Sequence, residues 1–265
     1  MKRSLALSGL LLTLALPAQA GKGCDERPVG PDELAQALNL ALMVRNQLDR
    51  STEQVVIIAR IGRDMSQYGL RYSHAGFAWR DHPKGRWFLV HELNECNGDR
   101  SSLYHEGLGN LFIDIHAPEA LVLTLPTSLQ ARLLPWLQQP HTLHQAHYNV
   151  VAYPFSTRYQ NSNQWLLESL AAAMAPEGTV RDRASAQRWL QGAGYRPSTL
   201  RLNTFKRLGG RLFSENVEFN DHPPARRFAG KIDVVTVESI EAFLRQQRQL
   251  VGRQVMALPS TPKNQ

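Results

Sequence analysis

Apolar residues recur along the chain with two periods, which predict a mixture of helices and strands. After Gly30 and Pro31 they follow the spacing of one helix face, at Leu34, Leu38, Ala41, Leu42 and Leu48. Continuous or alternating apolar runs at 54–61, 72–79 and 87–92 are typical of buried strands. Since only a short charged turn separates the last two runs, we expect them to form an antiparallel hairpin.

The later pattern is dominated by helices. Further strands are predicted at 111–115, 121–123 and 234–237, and helices at 128–138 (bent or ended near Pro135), from 162 onward, and at 185–190, 199–208 and 238–251. One helix, then a clustered antiparallel sheet, then mostly helices indicates an α+β fold. We expect a single domain over 21–257, with a basic helical C-terminal part, and a disordered tail over 258–265.

The first twenty residues have the pattern of a secretory signal peptide. Lys2 and Arg3 precede an apolar run over 5–16, which ends in Ala18-Gln19-Ala20. We therefore expect cleavage after Ala20 and a periplasmic or secreted protein. After that cleavage no transmembrane segment is expected, because every later apolar stretch is interrupted by charges well before the ~20 residues that a bilayer requires.

The charge distribution indicates the kind of partner. The formal net charge of +7 falls to +5 without Lys2 and Arg3, and the chain from Arg181 onward holds 15 basic against 7 acidic residues. In an exported protein such a surface favours an anionic envelope component, such as cell-wall polymer or lipid headgroups, and nucleic acid is not expected. The simpler alternative is a solvated basic face that promotes solubility.

The chain contains two cysteines, Cys24 and Cys96. In an oxidising compartment they most simply form one disulfide, which would close a long loop and contribute ~4 kcal/mol on the chain-entropy model. A disulfide leaves no thiol, so cysteine catalysis is not expected.

The stretch 148–168 carries the first candidate chemistry. It begins as a β-like run, passes through a loop broken by Pro154, and reaches Asn161 and Ser162 where a helical pattern starts. Asn161 is a favourable N-cap, which places the Ser162 hydroxyl beside unpaired backbone amides in the first helical turn. This is a suitable position for a nucleophile, although the same residues also suit an ordinary helix start.

Candidate partners for Ser162 lie on the predicted hairpin. His74 has small neighbours, Ala75 and Gly76, and the following strand offers His91 and Glu92, either of which could orient the His74 ring. Nucleophile, base and orienter together form the general constellation of covalent catalysis. The alternative is a hydrogen-bonded core histidine.

Three long segments carry a family resemblance: Tyr-Ser-His-Ala-Gly-Phe-Ala at 72–78, Leu-Tyr-His-Glu-Gly-Leu-Gly-Asn at 103–110 and Tyr-Pro-Phe-Ser-Thr-Arg-Tyr-Gln-Asn-Ser-Asn-Gln-Trp at 153–165. With these segments the chain resembles the bacterial domain of unknown function 2145 family over nearly its whole mature length. More loosely, it is similar to circularly permuted papain-like proteins of the NlpC type, which implies a papain-like α+β fold with an antiparallel sheet and packed helices.

The papain-like resemblance implies catalytic roles for His74 as base, Glu92 as orienter and Ser162 at the nucleophile position. Cysteine occupies that last position in the group, and a serine hydroxyl is too weak an acid to form the equivalent anion at neutral pH. The serine therefore implies either a serine-type acyl hydrolase or a scaffold that has lost its chemistry.

Other residues are candidates for binding substrate in the same cleft. Arg158 and Tyr159 could hold a carboxylate, Asn161 could donate an amide hydrogen bond, and His91 lies beside the candidate base. Tyr104, with His105 and Glu106, is predicted to lie in a glycine-rich loop over the site. Each of these could equally make only structural contacts.

A metal or cofactor is not predicted. His141, His144 and His147 recur at every third residue, but on a helix this spacing spreads the side chains too widely to share one ion. Three functions remain open: an amide or ester hydrolase acting on peptidoglycan peptides or other acyl substrates, a catalytically inactive module that binds envelope peptide or glycan, and, less favoured, a periplasmic metal-binding protein.

Overall fold

The computed structural model describes residues 28–96, 98–113, 115–202 and 216–259. The predicted signal peptide, Cys24, residues 203–208 of one predicted helix and most of the predicted tail lie outside these ranges. No helix in the described ranges is both long and apolar enough to cross a bilayer.

Six strands form one antiparallel sheet with the spatial order β4-β3-β2-β1-β5-β8. Their bounds are β1 Val55–Ile61, β2 His74–His82, β3 Gly85–Asn94, β4 Ser101–Glu106, β5 Ala117–Thr124 and β8 Gly252–Ala257. Two short strands, β6 Ser198–Arg201 and β7 Lys231–Val234, pair separately. The central strand β1 is buried along its whole length, because both of its faces are covered by helices.

Seven α-helices and two short 3₁₀ helices are seen in the described ranges. Their bounds are α1 Pro31–Asp49, α2 Leu108–Leu111, α3 Thr127–Gln138, α4 Ser162–Met174, α5 Arg183–Gly192, α6 Pro224–Phe228 and α7 Val237–Gln246, with 3₁₀ turns at Ser66–Tyr68 and Pro140–Leu143. Pro135 lies inside α3 and does not end it.

The helices cover the sheet from both sides and form two apolar cores. On the first face, Phe77 and Val90 pack with residues of α3, α4, α5 and α7. On the second face, Ala78 and Leu89 pack with residues of α1 and α2. Successive residues of a strand point to opposite faces, so each side chain of β2 and β3 belongs to one core or the other.

The α+β fold, the first helix and the antiparallel hairpin are confirmed. Four local predictions are wrong. The predicted strand at 111–115 begins in α2 and continues into a turn at 112–113, the helix predicted from Thr199 begins as strand β6, the strand predicted at 234–237 instead covers Lys231–Val234, and the last predicted helix ends at Gln246. The chain then forms β8, which pairs with β5 at the sheet edge.

Candidate functional site

A chain of buried polar side chains begins at His74, the first residue of β2. Its Nε2 lies 2.9 Å from Nδ1 of His91 on β3. The Nε2 of His91 lies 2.8 Å from Oε1 of Glu106 at the end of β4, and Asn110 donates to the other Glu106 oxygen at 2.8 Å. Both imidazoles are buried, with exposures of 7% for His74 and 1% for His91.

The Glu106 carboxylate at the end of this chain determines which ring nitrogens of the two histidines carry a proton. Burial alone would raise the pKa of Glu106, but hydrogen bonding from His91 and Asn110 lowers it overall, so Glu106 is a carboxylate that accepts from Nε2–H of His91. Burial lowers the pKa of both histidines, which are therefore neutral at pH 7. Nδ1 of His91 must then accept from Nε2–H of His74, and this leaves a lone pair on Nδ1 of His74.

The local sequence allows this close approach. A side chain at Gly76 would place its Cβ 2.8 Å from the Cβ of His91, so a larger residue would separate the two strands. Arg60 on β1 is paired in register with His74 and donates through Nη1 to the carbonyls of Leu111 and Ile113. Its positive charge contributes to the lowered pKa of His74.

Glu92 does not orient His74, and this part of the prediction is wrong. The β3–β4 register pairs His91 with Tyr104 and Glu92 with Leu103, so the Glu92 side chain lies on the opposite face of the sheet from His91. His91, the other orienting residue predicted from the sequence, therefore holds the His74 ring.

The Glu92 carboxyl group is completely buried, and neither oxygen has a hydrogen-bond partner of good geometry in the described part of the chain. Burial raises its pKa to about 8, against a smaller opposite effect of the Ser101 hydroxyl. That hydroxyl already contacts Nε2 of His144 and the carbonyl of Gln145, so it interacts with Glu92 only weakly. Glu92 is consequently a neutral acid at pH 7.

Asn161 caps α4 as predicted. Its Oδ1 accepts from the backbone N–H of Gln164 at 2.8 Å, and Ser162 is the first helical residue. The next side chain, Asn163, accepts from the backbone N–H of Ala75 and donates to the carbonyl of Ser73. The first turn of α4 is thus attached to the backbone on both sides of His74.

Ser162 lies beside a different side chain, that of Tyr148. Burial raises the pKa of the Tyr148 phenol to about 12, while the adjacent hydroxyl and backbone amide of Ser162 oppose this rise. No hydrogen bond joins Ser162 to His74 among the described residues, and the His74 side chain lies on the face of the sheet opposite to the core that contains α4. Ser162 and His74 are therefore not arranged as a nucleophile and its base.

A buried ion pair behind this helix was not predicted from the sequence. Glu168 on α4 is fully buried and accepts from Arg183, at 2.7 Å for Nε and 3.2 Å for Nη2, and also from Gln160 and Gln187. Arg183 further donates to the carbonyls of Thr157 and Tyr159. The network satisfies both charges and fastens the loop before α4 onto α4 and α5.

The remaining candidate binding residues are divided between separate places. Tyr159 is buried, with its ring against His147, and the exposed Arg158 stacks over it at 5.3 Å. Tyr104 instead packs edge-on to His91, with ring centroids 6.5 Å apart. The residues Tyr104, His105 and Glu106 belong to strand β4, so their predicted placement in a covering loop is wrong.

The histidines of 141–147 have separate environments. His144 contacts the Ser101 hydroxyl at 3.1 Å, and His147 pairs with Asp99 at 2.7 Å. Over the described ranges, no three His, Cys, Asp or Glu side chains are arranged to hold a metal ion. Cys96 is exposed. Its predicted disulfide stays a prediction, because Cys24 lies outside the described residues.

A surface pocket of about 500 Å³ lies beside the loop at residues 153–157, which precedes α4. Its wall includes two aromatic rings, two hydroxyl residues, two glutamines and an arginine: Tyr153, Phe155, Ser156, Thr157, Gln187, Gln191 and Arg188, with Ala184 and Asp221 completing the lining. No local sequence pattern predicts this pocket, because its lining comes from three separated segments.

These features define an α+β protein whose antiparallel sheet carries a buried His-His-Glu chain beside a capped helix start. The chain belongs to DUF2145, a family of uncharacterized proteins conserved in bacteria, whose model matches residues 47–244. The resemblance to this family is thereby confirmed. Comparison with curated proteins and with solved structures finds no match, so the papain-like relationship stays a hypothesis.

Proposed function

We propose that this protein is an exported, non-catalytic module that binds glycan or peptide of the cell envelope. The observation that carries the proposal is that the His74 side chain lies on the face of the sheet opposite to the core that contains α4, so that no imidazole of the described residues is hydrogen-bonded to Ser162 to take the proton that attack by the hydroxyl would release. Export is supported by the charged, apolar and Ala-Gln-Ala segments of residues 1–20.

The state of the neighbouring side chains agrees with binding without turnover. Ser162 is 7% exposed and lacks a hydrogen bond to any imidazole in the described ranges. Glu92 is protonated on the α4 side of the sheet and so supplies no charge to orient a base there. The basic surface after Arg181 would favour an anionic envelope polymer.

Co-sedimentation with purified peptidoglycan sacculi tests the proposal. We expect the protein without residues 1–20 to sediment with sacculi, Ser162→Ala to bind equally well, and neither protein to release soluble fragments. Release of fragments by the unmodified protein but not by Ser162→Ala would overturn the proposal, and so would the failure of folded protein to sediment.

A serine-type acyl hydrolase is the second candidate, and one observation favours it. Nδ1 of His74 carries a lone pair and has no hydrogen-bond partner among the described residues, while Nε2 is held by His91. This is the arrangement of an oriented general base, although Ser162 would have to approach the His74 ring, which lies on the face opposite to the core that contains α4. In this candidate His91 and Glu106 take the orienting role that was predicted for Glu92.

Labelling with a fluorophosphonate probe separates the two candidates. A non-catalytic module predicts no adduct on Ser162, in the unmodified protein or in Tyr148→Phe, which removes the hydroxyl of the adjacent phenol. The hydrolase predicts an adduct on Ser162 that disappears in His74→Ala. Circular dichroism of each variant confirms that an absent adduct does not reflect unfolding.

A further inference from the structure

The pocket beside the loop 153–157 has two kinds of wall. Tyr153 and Phe155 stand nearly perpendicular, at 82°, with ring centroids 5.8 Å apart, and they form an apolar corner. The polar part of the lining comes mainly from α5, with Gln187, Arg188 and Gln191. A ligand that fits must therefore combine an apolar face with a polar edge.

Sugar rings have this combination. One face of a pyranose presents C–H groups that pack against an aromatic ring, while its hydroxyls lie around the rim and pair with amides and hydroxyls. Gln187 suits the second role, since its Nε2 is already engaged by Ser156 and Glu168 and its Oε1 can still accept. A volume of about 500 Å³ accommodates one or two rings.

The side chain of Arg188 favours a ligand that carries a negative charge. It is exposed, and no hydrogen bond or ion pair to its guanidinium is seen in the described part of the chain; its charge lowers the pKa of the neighbouring Asp182 only as a minor contribution. A planar guanidinium at the rim of a pocket binds a carboxylate through two parallel hydrogen bonds.

The pocket is held in shape by contacts outside it. Gln187 is fixed to Glu168 at 2.8 Å, and Arg183 holds the carbonyl of Thr157. Asp221, whose side chain is fully buried, accepts from the backbone N–H of Tyr153 at 2.8 Å. Such a site loses little conformational entropy when it binds a ligand.

We propose that this pocket binds a sugar ring that carries a carboxylate, with the ring against Tyr153 and Phe155 and the carboxylate on Arg188. The inference rests on the proposed binding function and assigns it a ligand class and a place. It differs from the cleft expected at His74 and Ser162, since none of those residues lines the pocket.

Two probes that differ by the charged group test this assignment. N-acetylmuramic acid carries a lactyl carboxylate that N-acetylglucosamine lacks. In titrations followed by ¹H–¹⁵N NMR, we expect the acid to shift the amides of 153–157 and 184–191 and to bind roughly tenfold more tightly, as one charge-assisted contact of about 1.4 kcal/mol predicts.

The matched variants are Arg188→Gln and Arg196→Gln, since Arg196 is also exposed but does not line the pocket. Arg188→Gln should remove the preference for the acid and leave the weak binding of N-acetylglucosamine, whereas Arg196→Gln should change neither. Equal loss in both variants, or absence of shifts in the pocket, would overturn the inference.

The outcomes also separate this inference from the proposed function. Sedimentation with sacculi that is unaffected by Arg188→Gln, together with unshifted pocket amides, would leave a binding module with a different site. Binding in the pocket together with a fluorophosphonate adduct on Ser162 would retain the pocket and overturn the non-catalytic assignment.

Discussion

Nε2 of His74 lies 2.9 Å from Nδ1 of His91, which places the unprotonated nitrogen of the first ring at Nδ1. The carboxylate of Glu106 imposes this order from the far end of the chain. A ring held in this way keeps one tautomer, and that tautomer can be measured independently of any activity.

Long-range ¹H–¹⁵N spectra of the imidazoles should show His74 neutral at pH 7, with a protonated Nε2 and an unprotonated Nδ1. Glu106→Gln should disturb this order, because the amide can donate to His91 as well as accept from it. The control is Asn110→Ala, which removes a hydrogen-bond donor to Glu106 but leaves the Glu106 carboxylate charged. A protonated Nδ1 in the unmodified protein would contradict the proton order.

Glu92→Gln should stabilise the protein at pH 7. The pKa of Glu92 is about 8 in the folded state against an ordinary 4.5, so the folded state binds the proton more tightly than the unfolded chain. Stability from this group is present below pH 4.5 and is lost as the pH rises toward 8. At pH 7 the buried Glu92 therefore lowers the free energy of unfolding by on the order of 3 kcal/mol relative to low pH.

Urea unfolding from pH 4 to pH 8 measures this effect. The free energy of unfolding should fall with pH more steeply for the unmodified protein than for Glu92→Gln, and the two should converge near pH 4. Parallel curves would show that Glu92 has an ordinary pKa. Glu95→Gln, on the loop that follows β3, provides the control for the same substitution at another position.

Arg183→Met should destabilise the fold by about 3–5 kcal/mol, because it leaves the Glu168 carboxylate buried without its cation. Arg188→Met changes an exposed arginine of the same helix and should alter the free energy of unfolding by no more than ~0.5 kcal/mol. Chemical denaturation of the two variants compares them directly, and similar losses would mean that the ion pair is not structurally important.

Asn161→Ala should cost about 1 kcal/mol of stability through loss of the cap on α4, whereas Asn161→Asp should retain most of it, because a carboxylate also accepts from the N–H of Gln164. Thermal unfolding distinguishes the variants. If Asn161→Ala were as stable as the unmodified protein, the first turn would be held mainly by the contacts of Asn163 with Ser73 and Ala75.

Local patterns in the sequence were sufficient for the elements whose signals are short-range. Pro31 at a helix start, the buried run of β1, the hairpin of β2 and β3 and the Asn161 cap each depend on residues a few positions apart. The region after Gln246 was predicted incorrectly, because the edge strand β8 exists only through pairing with β5, more than 120 residues earlier.

The candidate site depended more strongly on tertiary structure. Alternation along β3 determines from the sequence that His91 and Glu92 point to opposite faces, but only the register with β2 and β4 decides which of them meets His74. The ion pair of Arg183 with Glu168 joins residues 15 positions apart. Such contacts form when a loop folds back on its own helix, and no local periodicity encodes them.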